Sequence, residues 1–381
     1  MKAMIIYPHP PESDGLSIQG HLLYRGLLEL GHEAIPCNPD GGLQKDFFLK
    51  NFNIDVAFGI GYWANAPALI HDPLKNGVTP VPWFNADGWV ANYQKDLSDL
   101  KLVFTTSDWV KQTYKRDGVD VKNMVPLPIG IETDLFKPML FDDEKVRLLR
   151  KMLGIQDHEK LIVTAGGDVT SKGAQEMFKA LAKVDKQFKN WKYVCKNWPS
   201  ECADEWRVHE TKLIQELGIE DKVIFLEGCF SKEFMPYLLN AADIYAAPSR
   251  LEGFGMIQVE AMSCGRPVIS INAMGPGENI VHGKTGFLAK VGEHVLLNEE
   301  WIYPWMGFAE QKTIKFDEPK IFGYRADIDE LAEYTLKLLI DDNLRIEMGK
   351  RAREHAVKNF NYLDISRRAA EITIQRLGLK G

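Results

Sequence analysis

Short apolar runs that alternate with helix-like stretches, stop once and then begin again, set the limits on how this chain folds. Segments 2–7, 54–60, 79–84, 102–106 and 124–127 are such runs. Between them lie stretches that suit helices, such as 18–30, closed by Gly31, and 107–116. From Glu159 the pattern restarts, with runs at 161–165, 192–195, 223–226, 244–247 and 268–271. Strands that are apolar throughout belong in parallel sheets covered on both faces. The expected fold is therefore α/β, with two Rossmann-like doubly wound halves. They span 1–140 and 158–360, and 361–381 supplies a last helix.

Composition narrows the partners. At 381 residues, 45% hydrophobic and 26% charged, the chain can build sizeable cores. A net charge of −7 argues against nucleic acid or an anionic membrane as the main partner. No apolar run is long enough to span a bilayer, and the start, Met1-Lys-Ala-Met-Ile-Ile-Tyr, lacks a cleavage site. The five cysteines, at 37, 195, 202, 229 and 264, show neither metal spacing nor a paired pattern. They suit reduced thiols, so a cytoplasmic location is expected.

The densest local signal is Ser249-Arg-Leu-Glu252-Gly-Phe-Gly-Met-Ile-Gln-Val-Glu260-Ala-Met-Ser-Cys-Gly265. An apolar run ending at Pro248 precedes it, so the order is strand, turn, helix. Gly253 and Gly255 allow the backbone to turn tightly and to approach a ligand, with Phe254 between them. A helix starting near Met256 presents free N–H groups and its positive dipole end, which favour a phosphate or diphosphate. Glu252 and Glu260 are separated along that axis by roughly 12 Å at most. That is about the reach from a sugar ring across a diphosphate to a ribose. Taken alone, the two glutamates would be a helix-start carboxylate and a solvated face residue. Their framing by strand, Gly-Phe-Gly, helix and Gly265-Arg-Pro-Val favours the ligand.

At these residues the chain resembles the retaining family-4 glycosyltransferases of the GT-B fold, also called glycosyl transferases group 1. Two further stretches carry the likeness, Pro126-Leu-Pro-Ile-Gly130-Ile-Glu-Thr-Asp134-Leu-Phe136-Lys-Pro138 and Pro276-Gly-Glu278-Asn-Ile-Val-His-Gly283-Lys-Thr-Gly286. It covers about residues 100–290 and says little about substrate. The resemblance implies two Rossmann-like domains facing across a cleft, acceptor in the first and donor in the second. It also implies that the last helix returns to the first domain.

Candidate site residues follow from the residues and the resemblance together. The run 161–165 leads into Gly166-Gly167-Asp-Val-Thr-Ser-Lys172, a loop with one cation that can neutralise a leaving diphosphate. Relatives usually place an arginine where Gly167 stands, so Lys196 or Arg250 becomes the substitute cation. The resemblance further implies that Gly15 borders the diphosphate and that Cys229 and Phe230 contact the base through the main chain. Relatives often carry a histidine after the fourth strand. Asn85 or Asp87 holds that place here, with Asn85 slightly preferred. Trp63, Trp83, Trp89 and Tyr93 are either a sugar-stacking set or core. His9, His21 and His209 read as structural. Residues 291–325 depart from the family pattern, being aromatic and irregular, and are either a partner contact or a surface excursion.

The expected activity is a metal-independent, retaining hexosyl transfer from a nucleotide-diphosphate sugar to a hydroxyl acceptor. Glu252 and Lys172 act at the sugar and the leaving group, with Asn85 and Asp87 on the reacting face, and Glu260 anchors the ribose. No cofactor beyond the donor is expected. A homo-oligomer stays open, with 299–308 as its interface. The rival readings are a phosphorylase or nucleotide-sugar epimerase of the same architecture, and a non-catalytic sugar-nucleotide-binding subunit.

Overall fold

The structure, a computed structural model, describes residues 1–85, 88–140 and 143–379. The chain divides into two compact units, one of 1–132, 296–322 and 360–381, the other of 133–295 and 323–359.

In the first unit six parallel strands run β1 (Lys2–Ile6), β2 (Glu33–Cys37), β3 (Val56–Gly61), β4 (Thr79–Phe84), β5 (Val103–Thr105) and β6 (Met124–Pro126). Their order in the sheet is β2-β1-β3-β4-β5-β6. β3 is buried at every position, as a strand with helices on both faces must be. Two of its helices begin on side-chain caps: Asp14 accepts from the amides of Leu16 and Ser17, and Ser107 from that of Val110. The helix Tyr362–Leu377 belongs to this unit, and its Ile365, Ala369 and Ala370 share one core with Leu23 and Leu27 of the first helix and with residues of β1, β3, β4 and β5.

The second unit repeats the plan with β7 (Lys160–Ala165), β8 (Trp191–Asn197), β9 (Val223–Glu227), β10 (Ile244–Ala246), β11 (Val268–Ile271) and β12 (Gly286–Ala289). These strands are also parallel, in the order β12-β11-β10-β7-β8-β9. After β9 the chain returns to the other side of β7, so the order reverses between β7 and β10. Open α/β sheets bind ligands at such a reversal, beyond the carboxyl ends of the strands.

The segment expected to be irregular is ordered. Val291–Ile302 (β13) and Lys312–Ala326 (β14) form a two-stranded sheet of their own, joined through Pro304–Met306. Pro304, Gly307 and Pro319 break the sequence pattern. Pro304 and Gly307 fall in the connection between the strands, and β14 tolerates Pro319 because each strand of a two-stranded ribbon has an open edge. Its outer part belongs to the first unit, where Ile302 is 1% exposed in a core with Trp63 and Trp89. Phe316 meets Trp89 edge to face at 5.7 Å.

One buried carboxylate fixes this ribbon to the loop after β4. Asp117 accepts from the Lys320 ammonium at 2.6 Å, from Arg116 at 2.8 Å and from the Val90 amide at 2.7 Å. Burial pushes its pKa up, yet the two cations and the amide outweigh this and hold it below the ordinary carboxylate value. A depressed carboxylate pKa gives stability that is present at neutral pH and lost as pH falls below about 4. Asp117→Ala leaves two cations without their partner and is expected to cost about 3 kcal/mol. It should also expose 303–311 to limited proteolysis. An unchanged denaturant midpoint and digestion pattern would count against the clamp.

Candidate active site

The two loops at the reversal point of the second sheet meet through one ion pair. Lys172, in the loop after β7, places its ammonium 2.7 Å from Glu252 Oε2, in the turn after β10. The second carboxylate oxygen accepts the Gly255 amide at 3.1 Å. Glu252 therefore holds Gly255, the residue that opens the helix Met256–Ser263, and the cation at once. The pair is partly buried, at 24% and 18% side-chain exposure, so its attraction is weakly screened. Burial alone would lower the Lys172 pKa. The charge and hydrogen bond of Glu252, with the charge of Asp168, raise it above the ordinary value. Lys172 stays an ammonium at neutral pH.

Local backbone geometry makes this contact. Gly166 is required because the Lys172 side chain crosses it: a Cβ there would lie 2.6 Å from Lys172 Cγ. The Arg250 amide donates to the Ser171 carbonyl at 2.8 Å, tying the two loops together. Behind the Gly-Phe-Gly turn, Gly275 donates its amide to the Glu252 carbonyl at 3.2 Å and Asn279 donates to the Phe254 carbonyl at 2.7 Å. Gly255 begins the helix in the left-handed region, at φ +93°. Glu260, within that helix, is 5% exposed.

Residues 146–302 match the family model for glycosyl transferases group 1. They form a group 1 glycosyltransferase domain. Among curated relatives, a D-inositol 3-phosphate glycosyltransferase of Corynebacterium jeikeium is 30% identical over 265 residues, 69% of this chain and 54% of its own. The N-acetyl-alpha-D-glucosaminyl L-malate synthase of Bacillus anthracis is 27% identical over 226 residues, 58% of this chain and 48% of its own. The chain spans about half the length of the curated relatives it matches. Among solved structures, Anabaena HepE in complex with UDP and glucose superposes with a TM-score of 0.72 at 17% identity, over 98% of this chain and all of that one. The sucrose-phosphate synthase of Thermosynechococcus elongatus gives 0.73 at 17% identity, over 99% and 100%. At such identities the likeness speaks for the fold, which is GT-B.

Within the group 1 domain the remaining candidates fall into place unevenly. Arg250 is not available as a substitute cation. Its guanidinium is locked on the buried Glu176, at 2.9 and 3.1 Å from Nη2, and Glu176 also accepts from Arg325 at 2.7 Å. Gly167 faces the indole of Trp198, whose ring carbons lie 3.5 and 3.7 Å from where a Cβ would stand. Lys196, at the end of β8, is 4% exposed and lies 5.6 Å from the Trp198 ring and 5.3 Å from that of Phe230. Burial lowers its pKa to about 8, a shift that the neighbouring Cys229 only partly opposes. Phe254 is buried, at 2% exposure, and its carbonyl is taken by Asn279, so it serves as packing beneath the turn, whereas Cys229 is an exposed free thiol.

In the first unit, Gly15 opens the helix Gly15–Glu29 with open space around its Cβ position. Asn85 is committed within its own unit. Its amide donates to Gln19 Oε1 at 3.2 Å, and its carbonyl oxygen accepts from Thr106 at 3.0 Å. That gives it the task of a latch between the loop after β4 and the first helix. Asp87 lies outside the described residues. The aromatic set is core rather than a stacking platform: Trp63, Trp83 and Trp89 are 1%, 2% and 5% exposed. Tyr93 is half-buried and meets His71 edge to face.

Sequence reasoning missed Glu176, Arg325 and Trp198. Arg325 and the Tyr324 amide, which donates to the Arg250 carbonyl at 2.8 Å, come from the end of β14. The base of the ribbon thus braces the turn that carries Glu252. Its aromatic content was the available signal, but nothing in it names the turn. Among the described residues no helix is long and apolar enough to cross a membrane.

Proposed function

We propose that the chain is a retaining, metal-independent glycosyltransferase that moves a hexose from a nucleotide-diphosphate sugar to a hydroxyl acceptor. The observation that carries this is the Lys172–Glu252 pair at the reversal point of the group 1 domain, against the amide-rich start of the helix bearing Glu260. In this reading the bond between the sugar's anomeric carbon and the diphosphate breaks while the acceptor oxygen adds on the same face. The acceptor proton passes to the departing diphosphate, so no dedicated side-chain base is needed. Lys172 stabilises the charge that grows on that leaving group, in a position fixed before reaction. Glu252 orients the sugar, and Glu260 accepts from the ribose hydroxyls. Lys172 and the helix-start amides supply the positive potential that a metal ion would otherwise supply.

Thermal shift and turnover with a panel of nucleotide sugars test the proposal. Protection by at least one donor, with transfer or slow hydrolysis of its sugar, is the expected result; neither effect from any donor refutes it. Glu260→Ala removes hydrogen bonds to a charged group, worth about 1.5–3 kcal/mol. It should weaken donor binding by about 10–100-fold. An unchanged dissociation constant would remove Glu260 from the ribose.

A further inference from the structure

The second unit carries a large cavity at the edge of its sheet opposite the Lys172–Glu252 pair. Its lining includes Lys160 at the start of β7, Asp243 just before β10 and Pro267 just before β11. Lys172 and Glu252 follow the other ends of β7 and β10, and a six-residue strand such as β7 puts roughly 20 Å between the two edges. Every lining residue belongs to the second unit. The volume is about 1270 Å³. Most small-molecule pockets have roughly 300–1,000 Å³, so this one has room for far more than a bare ion.

The buried part of this cavity holds more positive charge than it balances. Arg150, Arg266 and Arg345 are largely buried there and Arg353 is half-buried, whereas Asp243 is the one buried carboxylate of the lining. Asp243 accepts from Arg150 at 3.2 Å and from the Leu161 amide at 2.8 Å, and it lies 3.6 Å from Arg345. Arg345 also meets the exposed Asp342 at 2.7 Å. Arg353 has only neutral acceptors, among them the carbonyls of Thr133 at 2.7 Å and Phe136 at 2.8 Å. Burial lowers the Arg266 pKa below its ordinary value; Cys264 and Asp243 oppose this, and Arg345 and Arg150 add to it. Among the described residues, Nη2 of Arg345 and both Nε and Nη2 of Arg353 meet no hydrogen-bond acceptor. Of the other carboxylates in the lining, Glu144, Asp157 and Glu354 are exposed, where water screens them, and Glu159 accepts from the Gln156 amide. The mouth is different in kind. Leu140, Leu148 and Ile346 line it at 75%, 55% and 50% exposure, with the exposed Arg147 and Lys151 beside them, one helical turn apart.

We infer that this cavity is a second ligand site, for a phosphate monoester whose ester group is apolar. Arg345 and Arg353 take the phosphate, and Leu140, Leu148 and Ile346 cover the apolar group. Guanidinium forks with spare N–H groups match phosphate oxygens in geometry as well as charge. A phosphate monoester brings up to two negative charges and three acceptor oxygens, which meets an excess of cations that a single carboxylate would leave half met. The apolar mouth gains about 0.8 kcal/mol for each methylene group it buries, so the ester group adds affinity that inorganic phosphate lacks. The site lies at the opposite sheet edge from the proposed donor site and does not depend on the proposed reaction.

The test is isothermal titration of the whole chain with hexyl phosphate, inorganic phosphate and hexanol. Hexyl phosphate is expected to bind at least tenfold more tightly than either of the others, because only it satisfies both parts of the cavity. Leu148→Glu combined with Ile346→Glu should weaken hexyl phosphate at least tenfold and leave the melting temperature nearly unchanged, since both side chains are exposed. Lys172→Met, at the other edge of the sheet, should keep that affinity within threefold. Absence of hexyl phosphate binding by the wild type overturns the inference without any variant, as does equal binding of hexanol. Binding that survives the double substitution, or that is lost in folded Lys172→Met, places the ligand elsewhere and overturns it too. Co-sedimentation with vesicles of phosphatidylcholine, with and without phosphatidic acid, distinguishes the source of the phosphate. Hexyl phosphate binding together with capture by the acidic vesicles alone supports the site with a lipid headgroup as its ligand. Hexyl phosphate binding without capture supports it with a soluble ester.

Discussion

Lys172→Met is expected to lower kcat by about 10²–10³-fold, with a smaller change in donor affinity. Removing one preorganised group from a site of developing charge costs about 2.7–4 kcal/mol in the transition state. In the proposed reaction the diphosphate becomes more negative as its bond to the sugar breaks, so the interaction would strengthen along the reaction and appear in kcat. The variant also deprives Glu252 of its cation, although the Gly255 amide still donates to it. Lys172→Met should therefore lose stability, and adding Glu252→Gln should recover much of it without restoring turnover. A fall in kcat of Lys172→Met far beyond its loss of folded protein tells a catalytic cation from a structural one. The raised pKa of Lys172 fixes the pH behaviour. A lysine whose folded pKa lies above its unfolded value contributes stability that is complete below the unfolded pKa, about 10.5, and is lost as pH rises through the folded one. Turnover should thus show no step from Lys172 between pH 6 and about 10. A kcat within threefold of wild type in Lys172→Met, measured at saturating donor, would remove it from the leaving group.

The places of Lys172 after β7 and of Glu252 after β10, with Gly166, Gly253 and Gly255 beside them, were legible because each loop is local in sequence, whereas the meeting of the two side chains across 80 residues was not. A strand end, a glycine turn and a helix start fix where a side chain stands within a few residues, and each part has a sequence signature. β4 and β11 could be bounded to the residue, since an apolar run and its breakers coincide with the ladder. Arg250 was not legible. Its charge looks free in sequence, and its partner Glu176 lies 74 residues earlier. The tryptophans failed for the same reason. Trp63, Trp83 and Trp89 have the composition of a stacking platform, and only tertiary packing shows them buried. Asn85 was placed correctly after β4, yet its two hydrogen bonds reach Gln19 and Thr106, on elements no local pattern connects.

The insertion shows the same limit in backbone form. Pro304 and Gly307 lie in the connection and Pro319 within β14, and together with the aromatic run at 301–308 they make the segment read as irregular. What orders them is the packing of Ile302 and Phe316 against Trp89 and the Lys320–Asp117 pair, contacts across about two hundred residues of sequence. Its far end braces the Arg250 carbonyl through the Tyr324 amide. A feature that departs from the family pattern thus supports the turn that carries Glu252.

Gly173→Ala is expected to unfold the site from beneath, at a cost of about 2–5 kcal/mol. Gly173 sits at φ +85°, immediately after Lys172 and before the helix Ala174–Val184. A side chain in the left-handed region costs roughly 1–2 kcal/mol by itself. Most of the remaining cost is steric. A Cβ at this position would stand 2.3 Å from the Pro248 carbonyl oxygen and 2.7 Å from Pro248 Cγ. Neither is a flexible end that can swing aside, so the loop after β7 must move away from the segment after β10. Such backbone shifts in a packed region add about 1–3 kcal/mol. They also pull Lys172 from Glu252, so turnover should fall with stability. Gly15→Ala is the matched control, because nothing lies within 4 Å of its Cβ position. It should change stability by less than about 1 kcal/mol. Urea unfolding of both variants at constant m-value decides the matter. A Gly173→Ala midpoint that implies a loss below about 1 kcal/mol would show that the two loops are not pressed together as the geometry requires.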